Sequence, residues 1–363
     1  MNSPADRLLF TIPSLRGGGA ERVFAIVAGG LSEIGFDVHL ALAQREGPWL
    51  ERLPKSVVVH DLKAPRVRQA AWPLWRLVRK LQPAAVFSTI THMNKMVGLL
   101  RSGFPTNTRV LLRESTSRYL ERRFVSHRLG PLHRAAYRAA DKVICLSEGM
   151  REAAHREYGI SWSRLVRIYN PLDNTSPVDQ FPEAPSLGNP GILSIGRMDD
   201  SKGFDRILAA FPACLKRYPG ATLTLLGDGP HREALKRQAA ALGIADRVSM
   251  PGFERRVSRQ LKACDLFVLA SRFEGLPNVL LEAVDAECPV AVVEHPGGTR
   301  EVMELLGQAD RITTDLSEWR PAWFERPAAA VRQTALEHFG LSTIVQQYAA
   351  LVHETADSPR IAA

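Results

Sequence analysis

One segment of the chain, residues 191–203, reads Gly191-Ile192-Leu193-Ser194-Ile195-Gly196-Arg197-Met198-Asp199-Asp200-Ser201-Lys202-Gly203. Its first five residues form an apolar run that opens into a polar loop, as expected for a buried strand followed by a ligand-facing turn. The same succession of strand, loop and helix recurs along the chain. Strands that alternate with helices in this way predict an α/β protein with two parallel sheets, each covered on both faces.

The strand candidates fall into two groups, which predicts two domains. They are residues 7–12, 37–43, 57–62, 84–90, 109–114 and 142–147, then 191–195, 222–227, 248–251, 266–270 and 289–293. Between the groups, residues 171–190 contain five prolines, one glycine and no sustained periodicity. Such a segment is typical of a linker, so the predicted domains are residues 1–180 and 186–340.

The composition is that of a large soluble enzyme. The chain has 363 residues, 45% of them hydrophobic, which is enough for two packed cores. Four cysteines, at 145, 214, 264 and 288, form no close-spaced pair and indicate buried thiols, neither a disulfide framework nor a zinc site. No apolar run is long enough to span a bilayer, and residues 1–6 lack the order of a signal peptide. We therefore expect a cytoplasmic protein.

Positive charge is concentrated in the first half of the chain. The net charge is +9, and residues 51–142 hold 19 basic and 5 acidic residues. One basic group lies around Trp72 and Trp75 and comprises Arg66, Arg68, Arg76, Arg79 and Lys80. A second comprises Arg118, Arg122, Arg123, Arg128, Arg134 and Arg138. The first group suits a helix that lies on the inner face of an anionic membrane, or an ordinary basic helix with its Trp residues in the core.

Two carboxylates frame the segment Glu274-Gly275-Leu276-Pro277-Asn278-Val279-Leu280-Leu281-Glu282. Pro277 and Asn278 predict a helix start, with Asn278 as the cap and Glu282 one turn inside. Acids beside a helix start are explained if they accept hydrogen bonds from the hydroxyls of a bound polyol. The alternative is that Glu282 complements the helix dipole and Glu274 is a solvated loop residue.

The loop 196–203 has the residues of a diphosphate site. Gly196 and Gly203 allow close approach of the backbone, Arg197 offers a planar fork and Lys202 a point charge. These are the groups that would bind the two phosphates of a nucleotide sugar. Another loop, Gly297-Gly298-Thr299-Arg300-Glu301, either helps to shape the nucleotide pocket or is an ordinary loop and helix cap.

Together these segments resemble the donor-site signature of the retaining family 4 glycosyltransferases. Arg197 and Lys202 lie in a Gly-Arg-x-x-x-x-Lys-Gly frame, and Glu274 precedes Glu282 by eight positions. Residues 16–22, 140–149 and 170–173 resemble the first glycine-rich loop of that family, the last strand of its first domain and the segment leading into its second domain. The resemblance covers nearly the whole chain.

The resemblance implies a GT-B fold, in which two Rossmann-like domains face each other across an interdomain cleft. The first domain would bind the acceptor and the second the donor, with a C-terminal helix at 341–356 packed back on the first. Implied catalytic residues are Arg197, Lys202 and Glu274. Implied donor-binding residues are Gly17, Gly18, Gly19, Gly196, Gly275, Leu276, Pro277, Asn278 and Glu282. Residues expected on the acceptor side are His92, Asn94, Arg113 and Glu114, although this chain departs there from the pattern of many relatives.

The activity implied by the resemblance is transfer of a sugar from a nucleoside diphosphate sugar, expected to be a UDP-sugar, to a hydroxyl of a glycan or lipid-linked glycan. Glu274 would bind the donor sugar and Glu282 the ribose, while Arg197 and Lys202 would stabilise the leaving diphosphate. Retention by attack on the same face as departure is expected, because no carboxylate nucleophile is evident. The family works without a metal, so no cofactor is expected.

Other interpretations remain for parts of the sequence. The glycines at 17–19 also suit a tight turn, and His92 and His295 suit polar loop positions. A nucleotide-sugar epimerase on the same fold stays open, and so does nucleic-acid binding, although no recognition motif accompanies the basic residues. A nicotinamide dehydrogenase is excluded, because residues 227–232 begin like a dinucleotide fingerprint but end in Arg232.

Overall fold

The computed structural model describes residues 7–115, 130–172, 188–254 and 257–357. Contacts divide the chain into two compact units: unit 1 is Met1–Pro171 with Phe339–Ala363, and unit 2 is Leu172–His338. The boundary predicted between residues 180 and 186 lies outside the described residues and stays a prediction. Four members of the second basic group, Arg118, Arg122, Arg123 and Arg128, also lie outside them.

Unit 1 is built on a parallel sheet with the strand order β3-β2-β1-β4-β5-β6-β7. Its strands are β1 (Arg7–Ile12), β2 (Asp37–Leu42), β3 (Val58–Asp61), β4 (Ala85–Thr89), β5 (Arg109–Arg113), β6 (Lys142–Cys145) and β7 (Leu165–Arg167). The helices among them are α1 (Gly19–Glu33), α2 (Ala71–Leu81), α3 (Thr91–Leu100), α4 (Pro131–Ala139) and α5 (Glu148–Tyr158). The central strands are apolar along their length because helices cover both faces of the sheet.

Unit 2 repeats this plan with the strand order β10-β9-β8-β11-β12-β13. Its strands are β8 (Gly191–Ile195), β9 (Thr222–Leu226), β10 (Val248–Gly252), β11 (Leu266–Leu269), β12 (Val290–Val293) and β13 (Ile312–Thr313). The helices are α6 (Phe204–Arg217), α7 (Arg232–Ala241), α8 (Val257–Ala263), α9 (Asn278–Asp285), α10 (Thr299–Leu305) and α11 (Ala329–Phe339). Trp319 closes the core, fully buried, with its indole N–H donating to the Ala210 carbonyl at 2.8 Å.

The last helix, α12 (Leu341–Asp357), belongs to unit 1 although it follows unit 2 in the sequence. Its Tyr348 ring lies 5.7 Å from that of Phe87, which itself stacks on Phe10 at 4.7 Å. Lys142 Nζ forms an ion pair with Glu354 Oε1 at 2.6 Å. The helix therefore completes the core of unit 1.

The predicted fold class is confirmed, since both sheets are parallel and covered by helices. All eleven predicted strands are present, with ends within two residues of the prediction. Two further strands, β7 and β13, were not predicted, because runs of three and two residues at a sheet edge carry no periodicity. Within the described residues, no helix is both long and apolar enough to cross a membrane.

Candidate active site

The candidate site lies at the carboxyl edge of the sheet in unit 2. There β11 pairs with β8 on one side and with β12 on the other, all parallel. Chain direction across the sheet reverses at this point, because β8 leads to β9 on its far side while β11 and β12 continue the other way. The loops 196–203, 270–277 and 294–298 therefore leave the sheet side by side. Ligands of open α/β sheets bind at such a reversal.

Lys202 and Glu274 meet at this edge, although 72 positions separate them in the sequence. Lys202 Nζ lies 2.5 Å from Glu274 Oε1, and Ser271 Oγ donates to the same oxygen at 2.8 Å. The side chains of Lys202 and Glu274 are 27% and 13% exposed, so solvent still reaches the pair. The structure thus places together two of the three residues expected to be catalytic.

Arg272, which the sequence analysis did not single out, fixes the first two loops to each other. Its guanidinium makes a two-pronged ion pair with Asp205 at 2.8 and 2.6 Å, and its backbone N–H donates to the Ser201 carbonyl at 2.7 Å. The hydrogen bonds from Arg272 lower the pKa of Asp205. Gly203 has φ +65°, and a Cβ there would lie 2.1 Å from the Ala270 carbonyl oxygen. Lys202 is therefore carried on a loop held from two sides.

Backbone contacts fix the third loop to the second. Glu274 and Gly297 form an isolated parallel bridge, and the Gly298 N–H donates to the Gly275 carbonyl at 2.9 Å. Gly297 has φ +130°, and a Cβ there would lie 1.7 Å from the Glu274 carbonyl oxygen. Only glycine allows this approach, so the glycine-rich loop is part of the frame that holds Glu274.

Helix α9 begins at Asn278, and Pro277 rather than Asn278 occupies its N-cap position, without a side-chain capping bond. The predicted capping role of Asn278 is wrong, because the residue already has helical geometry one position inside. Leu276 is buried, and Glu282 lies one turn inside the helix, as expected. Gly196 lies at the end of β8, where its N–H donates to the Leu226 carbonyl at 3.0 Å.

Arg197 does not join the Lys202–Glu274 pair. Its side chain is 73% exposed, and its Nε lies 3.7 Å from Asp199 Oδ2. Asp199 Oδ1 accepts from the N–H of Ser201 at 3.0 Å and from its hydroxyl at 2.5 Å. Asp200 Oδ1 lies 3.3 Å from His231 Nδ1. Among the residues that the structure describes, no group of three or more His, Cys, Asp or Glu side chains is arranged to hold a metal ion.

His295 was expected to be a polar loop residue, yet its side chain is buried, with 7% of the residue exposed. Its Nδ1 lies 2.9 Å from the Pro296 carbonyl, and its Nε2 has no hydrogen-bond partner within the part of the chain that the structure describes. Burial lowers the pKa of the imidazole, which keeps it neutral at pH 7. His295 is therefore a loop residue, as expected, but a buried one, because backbone contacts with Glu274 and Gly275 hold the loop.

The glycines at 17–19 and His92 belong to unit 1. Gly17, Gly18 and Gly19 are exposed after β1, and α1 begins at Gly19 with Gly18 as its N-cap residue. His92 is exposed in the first turn of α3. Their predicted contacts with donor or acceptor stay predictions.

The other three residues expected on the acceptor side, Asn94, Arg113 and Glu114, are buried in a hydrogen-bonded cluster of unit 1. Asn94 Nδ2 donates to the Arg113 carbonyl at 2.9 Å and to the Tyr137 hydroxyl at 3.0 Å. That hydroxyl donates to Glu114 Oε2 at 2.6 Å. The Arg113 guanidinium donates to Asn170 Oδ1 and to Thr89 Oγ1, the latter at 3.2 Å. Each of the three therefore supports the fold, and a contact with an acceptor stays a prediction.

All four cysteines are buried free thiols, as the sequence indicated. Cys264 and Cys288 are nevertheless neighbours, with their sulfurs 3.2 Å apart just before β11 and β12. Their separation in the sequence gave no sign of this contact. They lie at the opposite ends of these strands from the candidate site.

Comparisons with known proteins support the family resemblance over both halves of the chain. The sequence model described as Glycosyltransferase Family 4 matches residues 17–175, and that described as Glycosyl transferases group 1 matches residues 177–308. An N-acetylgalactosamine-N,N'-diacetylbacillosaminyl-diphospho-undecaprenol 4-alpha-N-acetylgalactosaminyltransferase of Campylobacter jejuni is 28% identical over 82% of this chain and 83% of its own. The lipopolysaccharide core biosynthesis glycosyltransferase LpsD of Rhizobium meliloti is 25% identical over 91% of this chain and 94% of its own.

The fold is also that of solved glycosyltransferase structures. HepE of Anabaena, solved in complex with UDP-glucose, superposes with a TM-score of 0.76 at 20% identity, covering 96% of this chain and 99% of the other. A structural likeness at 20% identity shows only the fold, and the two matching sequence models show the family. The chain belongs to glycosyltransferase family 4 and has the GT-B fold.

Proposed function

We propose that the protein transfers a sugar, with retention of configuration, from a UDP-sugar to a hydroxyl of a lipid-linked glycan. The observation that carries this proposal is the Lys202–Glu274 pair at the point where chain direction reverses across the sheet of unit 2. A cation and a carboxylate held together there match a ligand with a diphosphate at one end and hydroxyls at the other. Two similar proteins support this choice of substrates. The Campylobacter relative is named for a diphospho-undecaprenol, and HepE was solved in complex with UDP-glucose.

The proposed chemistry assigns one task to each charged group. Lys202, with Arg197 from the same loop, stabilises the negative charge that grows on the diphosphate as the bond to the anomeric carbon breaks. Glu274 accepts hydrogen bonds from the donor sugar, and Glu282 accepts them from the ribose. The acceptor hydroxyl attacks the face that the diphosphate leaves and passes its proton to a departing phosphate oxygen. No metal ion takes part in this scheme.

The test is product analysis with purified protein, a panel of UDP-sugars and a polyprenyl-diphosphate glycan as acceptor. We expect UDP release and a glycosylated lipid only when the acceptor is present. NMR of the product should show that the α-anomeric configuration of the donor is retained. Conversion of the nucleotide sugar without acceptor would favour an epimerase. An inverted product would contradict the proposed stereochemistry while leaving the transfer itself intact.

We further propose that helix α2 docks unit 1 on an anionic membrane. Trp72 is 62% exposed and stacks on Trp75, whose ring centroid lies 4.8 Å away. The Arg79 guanidinium lies 5.0 Å from the Trp75 ring. Exposed basic residues lie on the same helix and in the segment just before it, namely Arg66, Arg68, Arg76, Arg79 and Lys80. Trp75 itself is tied to the fold by its indole N–H, which donates to the Gly103 carbonyl at 2.9 Å. An exposed aromatic ring among cations suits the headgroup layer of anionic lipid.

Sedimentation with liposomes tests this docking surface. We expect binding to vesicles containing phosphatidylglycerol, loss of binding as salt rises, and a clear loss when Arg76, Arg79 and Lys80 are replaced together by Gln. The matched control replaces three exposed basic residues of unit 2, Lys216, Arg217 and Arg237, and should bind like the parent. Equal binding to neutral and anionic vesicles, or none to either, would contradict the proposal and favour a soluble acceptor.

A further inference from the structure

In the segment that bridges to Glu274 through Gly297, two buried polar atoms have no hydrogen-bond partner among the described residues: His295 Nε2 and Thr299 Oγ1. We propose that they bind one hydroxyl group of the donor sugar, so that His295 and Thr299 help to select which sugar is transferred. This inference rests on the proposed function, since it adds two binding residues to the same donor site. The sequence placed Thr299 in a loop that could help to shape the nucleotide pocket, and it predicted no contact of either side chain with the sugar.

The hydrogen-bonding state of His295 follows from its contact with Pro296. A carbonyl oxygen can only accept, so Nδ1, 2.9 Å from the Pro296 oxygen, carries the proton. In the neutral ring Nε2 is then a bare acceptor. The charges of Glu274, Lys202 and Arg206 act on this imidazole, which lies in the loop that the Glu274–Gly297 bridge fixes to Glu274. A hydrogen-bond acceptor therefore lies buried at the edge of the candidate site.

Thr299 supplies the complementary group. It is 1% exposed at the first position of α10, and its hydroxyl is able both to donate and to accept. The loop that joins it to His295 is fixed by the Glu274–Gly297 bridge and by the Gly298 N–H bond to Gly275. The backbone of Gly297 and Gly298 is thus held against the loop that carries Glu274, and His295 and Thr299 flank this contact in the sequence.

A neutral hydroxyl fits these two atoms better than an anion. It donates its proton to His295 Nε2 and accepts one from Thr299 Oγ1, whereas a phosphate oxygen would face the lone pair of the imidazole. Leaving two buried polar atoms without hydrogen bonds is unfavourable, so binding of the hydroxyl lowers the free energy of the site. Sites that pair a substrate hydroxyl with buried polar groups discriminate strongly against analogues that lack it. A resident water molecule is the alternative occupant.

Calorimetric titration measures how much the sugar contributes to the affinity for the donor. The ligands are UDP and the UDP-sugars of glucose, galactose, N-acetylglucosamine and N-acetylgalactosamine. The parent protein should bind one of them more tightly than UDP. His295→Leu and Thr299→Val should each bind UDP like the parent and lose about tenfold in affinity for that UDP-sugar, the equivalent of one buried hydrogen bond. His295→Gln keeps an acceptor near Nε2 and should recover part of the loss.

Deoxy analogues of the preferred UDP-sugar make the test independent of how well the variants fold. In the parent, removal of one particular hydroxyl should cost about tenfold or more, and in His295→Leu the same removal should cost little. Two results would overturn the inference and favour a resident water molecule. One is that the parent binds every deoxy analogue equally well, and the other is that the parent binds no UDP-sugar more tightly than UDP. Failure of the parent to bind UDP at all would overturn the proposed function instead.

Discussion

Each unit of the molecule has a polar cluster at the carboxyl ends of its parallel strands, and the two clusters differ in their access to solvent. In unit 1, Asn94, Arg113, Glu114 and Tyr137 are each at most 1% exposed, and the Tyr137 hydroxyl links Asn94 to Glu114. In unit 2, Lys202 and Glu274 remain partly exposed. The first cluster connects elements of the fold, whereas the second presents charge to a ligand. The position of a polar cluster in an α/β sheet therefore does not by itself identify a binding site.

Arg113 shows why the first cluster stabilises the fold. Its guanidinium bonds to Thr89 at the end of β4, to Asn170 near the end of the first segment of unit 1, and to the Tyr348 hydroxyl of α12. A buried guanidinium is tolerated where most of its donors are paired. Both terminal nitrogens of Arg113 donate, whereas its Nε has no partner among the described residues. Three segments that are distant in the sequence thus meet at one side chain.

The largest effect is expected from removing that side chain. Arg113→Ala should reduce the free energy of unfolding by about 3–5 kcal/mol, because its buried partners lose their donor. Hydrogen exchange measured by mass spectrometry should accelerate in the strands of unit 1 and change little in unit 2. Arg134→Ala, at an exposed position of α4, is the control. Unchanged exchange in unit 1 would mean that the cluster does not stabilise it.

The opposite result is expected for Lys202. Lys202→Ala or Arg197→Ala should raise the barrier to turnover by about 2–4 kcal/mol, the loss of one preorganised charge at the diphosphate. The free energy of unfolding should change by less than about 1 kcal/mol, because both side chains are partly exposed. Steady-state kinetics and chemical denaturation measure the two quantities, with Lys216→Ala as the control. A turnover rate close to that of the parent would mean that neither residue takes part in catalysis.

Tyr137→Phe separates a structural role of Glu114 from an acceptor role. The change removes the hydroxyl that bonds to Glu114 and Asn94, and should cost about 1–3 kcal/mol of stability. At a temperature where the variant stays folded, kcat/KM for the acceptor should equal that of the parent. A fall in kcat/KM with unchanged donor binding would instead support the predicted acceptor role of Glu114.

The smallest effect is expected from a metal chelator. Because Lys202 and Arg197 supply positive charge for the diphosphate, excess EDTA should leave the rate of sugar transfer within about twofold of the untreated enzyme. The rate of UDP release with and without chelator measures this. Loss of activity that manganese or magnesium restores would instead indicate a metal-dependent reaction, with Asp199 and Asp200 as candidate ligands.

The sequence predicted those features that depend on local pattern or on strand order. The strands followed from apolar runs, and the meeting of Lys202 with Glu274 follows from the rule that loops after neighbouring parallel strands share one edge. Burial of His295 was not predictable, since it depends on the backbone bridge between Glu274 and Gly297. The closed cluster of unit 1 was missed for a similar reason. Tyr137, on a helix with no evident link to β5, is the residue that covers Glu114.

The place of α12 bears on the order in which the chain folds as it is made. Unit 2 is continuous, from Leu172 to His338, so all of its residues have been synthesised before α12 is complete. Unit 1 lacks the helix that carries Val345 and Tyr348 until Leu341–Asp357 has been synthesised. Until then Phe87 lacks its Tyr348 neighbour, and Gly30 lacks the Val345 side chain that packs against it. Domains usually fold in the order of their synthesis. Unit 1, whose strands precede unit 2 in the sequence, therefore receives its α12 helix only after all of unit 2 has been synthesised.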